Sequence, residues 1–407
     1  MKRILPIIVF SQFFCTSLWF AGNAVMKEIL LQLHLAPSYL VHLTSAVQFG
    51  FIAGTLVFAI LTIPDRFSPT RVFFFCGILA ALINACATIP GIDVNQLLTI
   101  RLLTVFFLAG IYPVGMKIAS DHYQNGLGKS LGFLVGALVL GTSFPHLLKS
   151  VTSELPWKYV IYATSLLAVV GSVIVFVLVP DGPYRKRGQG VQLAAFLKGF
   201  INPDFRAAAF GYFGHMWEVY AFWVFIPVML SGYNLRFPGS ELNVPLLSFI
   251  IIASGSISCM LGGIFSVRFG PKFVAIIALT LSGICCVISP LFLSQPSGIT
   301  LIIFLLAWGM AAPADSPMFS TLVAQNAPAE SKGTALTMVN CIGFSITILS
   351  IQLINLLIGP QNETYIYMIL GIGPILGLAA LFSNHKGEKL TIGKESDDTP
   401  SLMSPII

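Results

Sequence analysis

The sequence predicts an all-α integral membrane protein, with twelve transmembrane helices in two pseudo-symmetric six-helix bundles. Three observations carry that prediction. Of 407 residues, 56% are hydrophobic and 9% charged, against about 25% charged in a soluble domain, so polar groups are too few to cover a soluble surface. The apolar residues come in blocks of roughly 20, the length that crosses about 30 Å of hydrocarbon as a helix. Near the midpoint a basic stretch, Pro180 to Arg206, carries Arg185, Lys186, Arg187, Lys198 and Arg206. It separates two apolar halves as a cytoplasmic connector would. The alternating pattern of a membrane barrel is absent.

Six spans are expected before the connector: Ile4–Met26, Tyr39–Ile63, Val72–Ile89, Gln96–Ala119, Ser130–Leu148 and Trp157–Val179. Six follow it: Ala207–Leu230, Val244–Val267, Phe273–Leu293, Thr300–Val323, Thr334–Ile358 and Tyr365–Phe382. The first opens on Met1-Lys2-Arg3 like a signal peptide. Its apolar run is too long, however, and it lacks a small-x-small cleavage site, so it reads as a membrane helix. The expected organisation is a bundle over 1–179, a linker over 180–206, a second bundle over 207–382 and a disordered polar tail over 383–407.

Basic residues set the orientation. With the N-terminus inside, seventeen of the 22 Lys and Arg fall on the cytoplasmic side. Lys27, Lys149, Lys158 and Arg236 fall outside, and Arg101 lies within span 4. Both termini are therefore expected in the cytoplasm, and the short loops suit a bacterial inner membrane. The net charge of +6 is scattered over those loops, which argues against nucleic acid as a partner. The seven Cys all sit in apolar runs with no CxxC spacing, so they read as small buried hydrophobes, not as disulfides or metal ligands. No cofactor is expected. Nucleotide-binding loops and the HExxH and GxSxG patterns are missing, so the chain is not expected to be an enzyme.

The second half repeats the first. Asp65-Arg66-Phe67-Ser68-Pro69-Thr70-Arg71 follows span 2, and Val267-Arg268-Phe269-Gly270-Pro271-Lys272 follows span 8. Arg66 and Arg268 are 202 residues apart, Pro113 and Pro313 are 200 apart, and Lys129 and Lys332 are 203 apart.

Two six-span halves on a basic linker resemble the major facilitator superfamily of secondary transporters, from about Ile4 to Phe382. Asp65 and Arg66 match the Asp-Arg pair of the family's signature loop, and Arg71 stands for a trailing basic residue. Ser68 and Leu61 replace its glycines. In the second copy Gly263, Arg268, Gly270 and Lys272 match, while Val267 replaces the Asp. The resemblance implies a gating loop of Asp65, Arg66, Arg71, Arg268 and Lys272, in which Asp65, Arg66 and Arg71 bridge helices of one bundle. Ordinary positive-inside anchoring is the plainer reading. Arg101 matches the Arg of a motif in span 4. In span 5, Gly132, Gly136 and Gly141 lack the Pro and paired Gly of the antiporter signature, and Gly132 with Gly136 also suits close helix packing.

An ionisable side chain within a span is costly and marks a functional candidate. His215 and Glu218 share one face of span 7, with Trp217 and Tyr220 as aromatic neighbours. Desolvation disfavours charge on a mid-span carboxylate, which suits Glu218 as a proton carrier with His215 as its relay. A structural His–Glu hydrogen bond is the alternative. Arg101 needs a carboxylate or an anionic substrate, unless it is a structural contact; Tyr112 lies close to its face. Asp315 sits between Pro313 and Pro317, which favour a kink or break, and reads either as a second proton site or as a gating residue. Lys117, at similar depth, is its expected partner. His42, Gln48, Asn84, His146, Asn340 and Gln352 are further cavity candidates.

The expected function is secondary transport of a small organic solute by alternating access, coupled to protons as a symport, by a monomer in the bilayer. Efflux of drugs or metabolites by antiport is the alternative, and a non-transporting receptor on the same scaffold is a weaker one.

Overall fold

The computed structural model describes residues 4–36, 38–123, 127–185, 193–328 and 332–383. Lys186, Arg187 and the tail from 384 onward lie outside the described residues.

Span 1 is interrupted. It comprises α1 (Ile4–Thr16), α2 (Ala21–Ala24) and α3 (Met26–Gln32). Span 2 is α4 (Tyr39–Ile60), followed by the one-turn α5 (Ile63–Arg66), and span 3 is α6 (Pro69–Cys86). Span 4 divides into α7 (Val94–Leu108) and α8 (Tyr112–His122), span 5 is α9 (Leu127–Val151) and span 6 is α10 (Lys158–Leu178). A short α11 (Leu193–Gly199) lies in the linker. Span 7 is α12 (Pro203–Arg236), span 8 α13 (Val244–Phe269) and span 9 α14 (Pro271–Leu293). Span 10 divides into α15 (Gly298–Ala311) and α16 (Ser316–Asn326), span 11 is α17 (Lys332–Leu357), and span 12 is a 3-10 turn (Ile366–Gly371) running into α18 (Ile372–Ser383).

Among the described residues eleven helices are long and apolar enough to cross a membrane, and Ile4–Thr16 is a shorter apolar helix. The twelfth expected span falls short because it breaks after Thr16. There the hydroxyls of Thr16 and Ser17 take the carbonyls of Gln12 and Phe14 at 2.8 and 2.7 Å, and the backbone tightens to bonds three residues apart at Leu18 and Trp19. Span 7 starts at Pro203, four residues before the expected Ala207, because the Asn202 side chain caps it by accepting from the Asp204 N–H at 2.9 Å.

The breaks in spans 4 and 10 fall at equivalent places in the repeat, beside Pro113 and Pro313. Proline removes an N–H and clashes with the preceding turn. The carbonyl of Pro313 accepts from the Ser316 N–H at 3.2 Å and from the Cys259 thiol of span 8 at 3.0 Å. The loop repeat diverges in backbone: Gly270 ends span 8 at φ +82°, whereas Thr62 takes the left-handed turn after span 2 at φ +50°.

A large apolar core runs through both halves, with a smaller second cluster around Val25, Leu43, Leu97 and Val160 in the first. Large side chains such as Phe10, Leu166, Ile299 and Leu356 are exposed on its periphery, where lipid tails would meet an integral membrane protein. Spans 5 and 8 pack along their lengths, as do spans 2 and 11, and these two seams join the halves. A Cβ on Gly132 would lie 2.9 Å from the Cys259 carbonyl oxygen and 3.1 Å from Gly263 Cα. Gly132→Val is therefore expected to cost about 1–3 kcal/mol by overpacking; a lowered melting temperature in detergent checks this.

Candidate functional site

No ion pair between described residues joins the two halves: the pairs are Lys117 with Asp65 and Asp121, Lys149 with Glu28, Arg185 with Asp181 in the linker, His215 with Asp315, and Arg236 with Glu363. The halves meet through apolar, glycine and neutral polar contacts. Of these, Gln352 donates to Ser45 across spans 11 and 2 at 2.8 Å.

In the C-terminal half, Glu218 is 1% exposed. Its Oε1 accepts from the Trp308 indole N–H at 2.7 Å and its Oε2 from the Ser282 hydroxyl at 2.9 Å. Phe222 stacks on Trp308 with centroids 4.4 Å apart, which fixes the direction of that indole. His215, one turn earlier, does not bond Glu218. Its Nδ1 meets Asp315 Oδ1 at 2.7 Å, both side chains being almost wholly buried. The contact is one of charge: neither Asp315 oxygen has a partner by hydrogen-bond geometry among the described residues. The expected His215–Glu218 bond is thus replaced by two parallel links, from span 7 to spans 9 and 10. Asp315 stands at the break in span 10, just ahead of α16.

The expected Lys117–Asp315 pair does not form. Lys117 Nζ lies 2.8 Å from Asp65 Oδ1 and 3.8 Å from Asp121 Oδ1. Arg185 reaches into the same network, donating to the carbonyls of Asp65 and Phe67 at 3.3 and 2.7 Å. Ser68 donates to Asp181 at 2.6 Å. The loop after span 2 is thereby tied to the inner ends of spans 4 and 6. Of the three residues expected to bridge, only Asp65 forms an ion pair among the described residues; Arg66 and Arg71 line an open cleft of about 510 Å³ with Asp181 and Arg185. In the second copy the Arg268 guanidinium sits 5.3 Å over the Phe269 ring. Arg268 and Lys272 form no ion pair among the described residues, as the replacement of Asp by Val267 leads one to expect.

Arg101 is 2% exposed and forms no ion pair with a carboxylate among the described residues. Its Nη1 donates to Asn84 Oδ1 at 2.7 Å, and its Nη2 donates to the carbonyls of Leu18 and Trp19 at 2.9 and 2.7 Å. Asn84 in turn donates to the Ile161 carbonyl at 3.3 Å and to Ser165 at 3.0 Å. The need for a carboxylate or an anionic substrate is therefore corrected: the break in span 1 supplies carbonyls that take the charge. Asn84 belongs to this lock between spans 1, 3, 4 and 6, not to a cavity. Tyr112, on the other side of the break in span 4, is 7% exposed and within electrostatic range of Tyr212 and Tyr220. Arg101 and Tyr112 do not act on one face.

Trp217 turns away to span 12, donating to the Ile369 carbonyl at 3.0 Å. Tyr220 turns to the junction of the halves. There Trp19, Phe51, Tyr220 and Phe344 form a ring cluster, with Trp19–Phe51 at 4.8 Å, Phe51–Phe344 at 4.5 Å, Tyr220–Phe344 at 5.1 Å and Trp19–Tyr220 at 5.9 Å. Four different spans contribute, two from each half, and all four side chains are buried. Two turns before Tyr220 in span 7, Tyr212 donates to Asn340 Oδ1 of span 11 at 2.6 Å. Gln48 is fully buried, and its amide has no hydrogen-bond partner among the described residues; the same holds for His146 Nε2. His42 is exposed, against the Tyr39 ring.

Sequence reasoning passed over Trp308, Ser282, Trp19, Phe51 and Phe344. The signal available was a Trp and a Ser in spans already rich in such residues, which distinguishes nothing until the helices are rotated into contact.

No curated protein matches the sequence. Solved structures do match in fold. The human organic anion transporter MFSD10 (TETRAN) superposes with a TM-score of 0.69 at 14% identity, over 93% of this chain and 99% of that one. The proton:xylose symporter XylE, bound to 6-bromo-6-deoxy-D-glucose, superposes with a TM-score of 0.71 at 13% identity, over 95% of this chain and 96% of that one. At such identities the likeness is one of fold. The sequence itself matches the family model of the Major Facilitator Superfamily over residues 8–351. This chain, an integral membrane protein with the transporter fold, belongs to the Major Facilitator Superfamily.

Proposed function

We propose that this protein is a proton-coupled symporter for a small organic solute, with Glu218 as the proton-carrying carboxylate and the His215–Asp315 pair beside it. The observation that carries the reading is the environment of Glu218: a carboxylate buried in mid-span and held by neutral donors, Trp308 and Ser282, with the Cys286 thiol beside them. With the carboxylate charged, Trp308 and Ser282 each donate to it. A proton placed on Oε2 turns that oxygen into a donor, and the Ser282 hydroxyl must rotate to accept. Uptake of a proton therefore rearranges the contact between spans 7 and 9. The break in span 10 lies between Trp308, which touches Glu218, and Asp315, which touches His215, so a movement of α16 against α15 alters both links together.

Spans 1–6 and spans 7–12, joined by the linker over 180–206, are the two bodies that rock. Their seams along spans 2 and 11 and spans 5 and 8 carry no ion pair among the described residues, so sliding breaks no buried charge contact. The Asp65–Lys117–Asp121 network with Arg185 stiffens the inner end of the first body. The bias of Lys and Arg supports cytoplasmic termini, and the short loops support a bacterial inner membrane.

The test is proton movement into liposomes that hold purified protein and an entrapped pH-sensitive dye. Sugars, polyols, carboxylates and amines are added in turn. The expected result is acidification of the lumen by at least one solute, abolished in Glu218→Gln, while counterflow exchange of the same solute persists in that variant. Proton movement in Glu218→Gln equal to that of the native chain would overturn the assignment.

A further inference from the structure

We infer that the cleft at the linker end of spans 2, 3 and 6 is a binding site for a phosphate group, and that a membrane phospholipid with an anionic headgroup supplies it. The cleft shares no residue with the surroundings of Glu218, so its occupant does not depend on the transport reading. What selects the occupant is which charges around the cleft are already engaged and which are not.

Arg66, Arg71 and Arg185 line the cleft together with Asp181, Ser68 and Thr70. Asp181 is engaged on both oxygens: Oδ1 accepts from the Ser68 hydroxyl at 2.6 Å and Oδ2 from Arg185 Nη1 at 3.0 Å. The other Nη of Arg185 goes to the carbonyls of Asp65 and Phe67. The Asp65 carboxylate pairs with Lys117 Nζ at 2.8 Å. The hydroxyls are engaged too. Ser68 donates to Asp181, so the 2.9 Å contact between Ser68 and Thr70 is donated by Thr70. Arg66 and Arg71 remain. Both are exposed, and neither guanidinium has a hydrogen bond or an ion pair among the described residues. The lining thus carries a surplus of two positive charges, three Arg against one Asp, and its free donors are guanidinium N–H groups.

Such donors select an anion, and their shape selects phosphate. A guanidinium fork matches phosphate oxygens two at a time. The oxygens of a phosphate are tetrahedral and can face two forks on different sides, whereas those of a carboxylate lie in one plane. A neutral solute would leave the surplus charge unanswered. The cleft, at about 510 Å³, is many times the ~30 Å³ of one water, so it admits a headgroup and not merely a bridging solvent molecule. Arg66 and Arg71 stand on either side of Ser68, Pro69 and Thr70, so one phosphate held by both braces the loop from its two ends.

The walls select the source of the phosphate. Phe176 and Val179 close one side of the cleft, and Phe74 of span 3 stacks on Phe176 with centroids 4.6 Å apart. Phe176 is half exposed, and Phe75, Val177 and Leu178 are exposed at the same level of spans 3 and 6, where acyl chains meet them. The cleft is therefore apolar toward the bilayer and basic beyond the ends of the spans. That is the order of polarity along a phospholipid from its chains to its headgroup. A soluble phosphate would use the arginines and leave the aromatic wall in water. Basic pockets between membrane helices hold anionic headgroups through the same combination.

The experiment measures the melting temperature of the purified full chain in detergent against added phosphatidylglycerol, phosphatidylcholine, glycerol 3-phosphate and inorganic phosphate. Ionic strength is held constant with NaCl, because exposed charges are screened by salt. The native chain is compared with Arg66→Gln combined with Arg71→Gln, and with Arg268→Gln combined with Lys272→Gln in the equivalent loop of the second half. Phosphatidylglycerol is expected to stabilise the native chain and the Arg268, Lys272 variant alike, and to need at least a tenfold higher concentration in the Arg66, Arg71 variant. Phosphatidylcholine, whose own cation offsets its phosphate, and the two soluble phosphates are expected to shift none of them. Without lipid the Arg66, Arg71 variant is expected to melt within about 2 °C of the native chain, since exposed side chains without partners contribute little to the fold. Arg66→Lys combined with Arg71→Lys, which keeps the charge and loses the planar fork, is expected to respond between the two. Equal responses of the native chain and both Arg66, Arg71 variants would overturn the site. An equal loss in the Arg268, Lys272 variant would also overturn it, by reducing the effect to a general attraction of basic loops. Stabilisation by the soluble phosphates as strong as that by phosphatidylglycerol, lost with Arg66 and Arg71, would overturn the lipid and give the cleft to a soluble phosphate ester.

Discussion

Arg101→Leu is expected to leave little folded protein. The substitution removes the donor to three oxygens at once: the Leu18 and Trp19 carbonyls and Asn84 Oδ1. The two carbonyls have no other backbone donor among the described residues, because they stand in the break of span 1. Water is scarce at that depth, so the deficit stays in the protein. At about 1–3 kcal/mol for each unsatisfied group, the loss is on the order of 3–9 kcal/mol, comparable to the whole stability of a typical domain, about 5–15 kcal/mol. Leu also leaves the space over Gly22 differently filled, where the guanidinium now passes 3.1 Å from the position of a Cβ. Arg101→Lys is expected to recover only part, since a single ammonium cannot match a planar fork aimed at spans 1 and 3 together. The measurement is the fraction of protein that elutes as a single species in detergent, and its melting temperature. Arg101→Leu that melts within about 3 °C of the native chain, equivalent to about 1 kcal/mol, would show that the lock is not structural.

The same residue marks how far the sequence could be read. Spans 2–12 are legible because a run of about 20 apolar residues has few alternatives to a membrane helix. The break in span 10 announces itself through Pro313 and Pro317, and the repeat places Pro113 at the equivalent position of span 4. The break in span 1 does not: Leu18-Trp19-Phe20-Ala21 reads as continuous helix, and what interrupts it is a choice made by the hydroxyls of Thr16 and Ser17. Because that break is silent, so are the carbonyls it frees, and Arg101 then looks like a cation in want of a carboxylate. In the candidate site, the spacing of His215 and Glu218 is legible as a shared face. Their partners are not, because Ser282, Trp308 and Asp315 lie 64, 90 and 100 residues further on, and the rotation of each span decides which side chains meet. Lys117 and Asp315 share a depth, but depth alone does not pair them. Asp65 reaches Lys117 first, because the loop after span 2 folds under the inner end of span 4.

His215→Ala is expected to be far more damaging than Asp315→Asn, although both remove half of one contact. The pair is buried to 2% and 1% exposure. Deleting the imidazole strands the Asp315 carboxylate, neither oxygen of which has a hydrogen-bond partner among the described residues. Lys117 is committed to Asp65 and does not reach it. Breaking a buried pair from one side costs about 3–5 kcal/mol. Asp315→Asn keeps a polar oxygen facing Nδ1 and removes the buried charge, so the fold is expected to hold to within about 1 kcal/mol. The two changes should therefore not add: His215→Ala combined with Asp315→Asn is expected to be more stable than His215→Ala alone, the positive coupling of residues that share one contact. Transport separates from stability in the same series. Asp315→Asn, though folded, is expected to lose at least about tenfold in accumulation driven by a pH gradient, some 1.4 kcal/mol in the coupled step, and to keep counterflow exchange. Melting curves of the three variants and the native chain check the first half, and gradient-driven uptake checks the second. A double variant no more stable than His215→Ala would mean that the imidazole is held for its packing and not for the carboxylate. Undiminished accumulation in Asp315→Asn would confine the pair to joining span 7 to the break in span 10, with the proton carried by Glu218 alone.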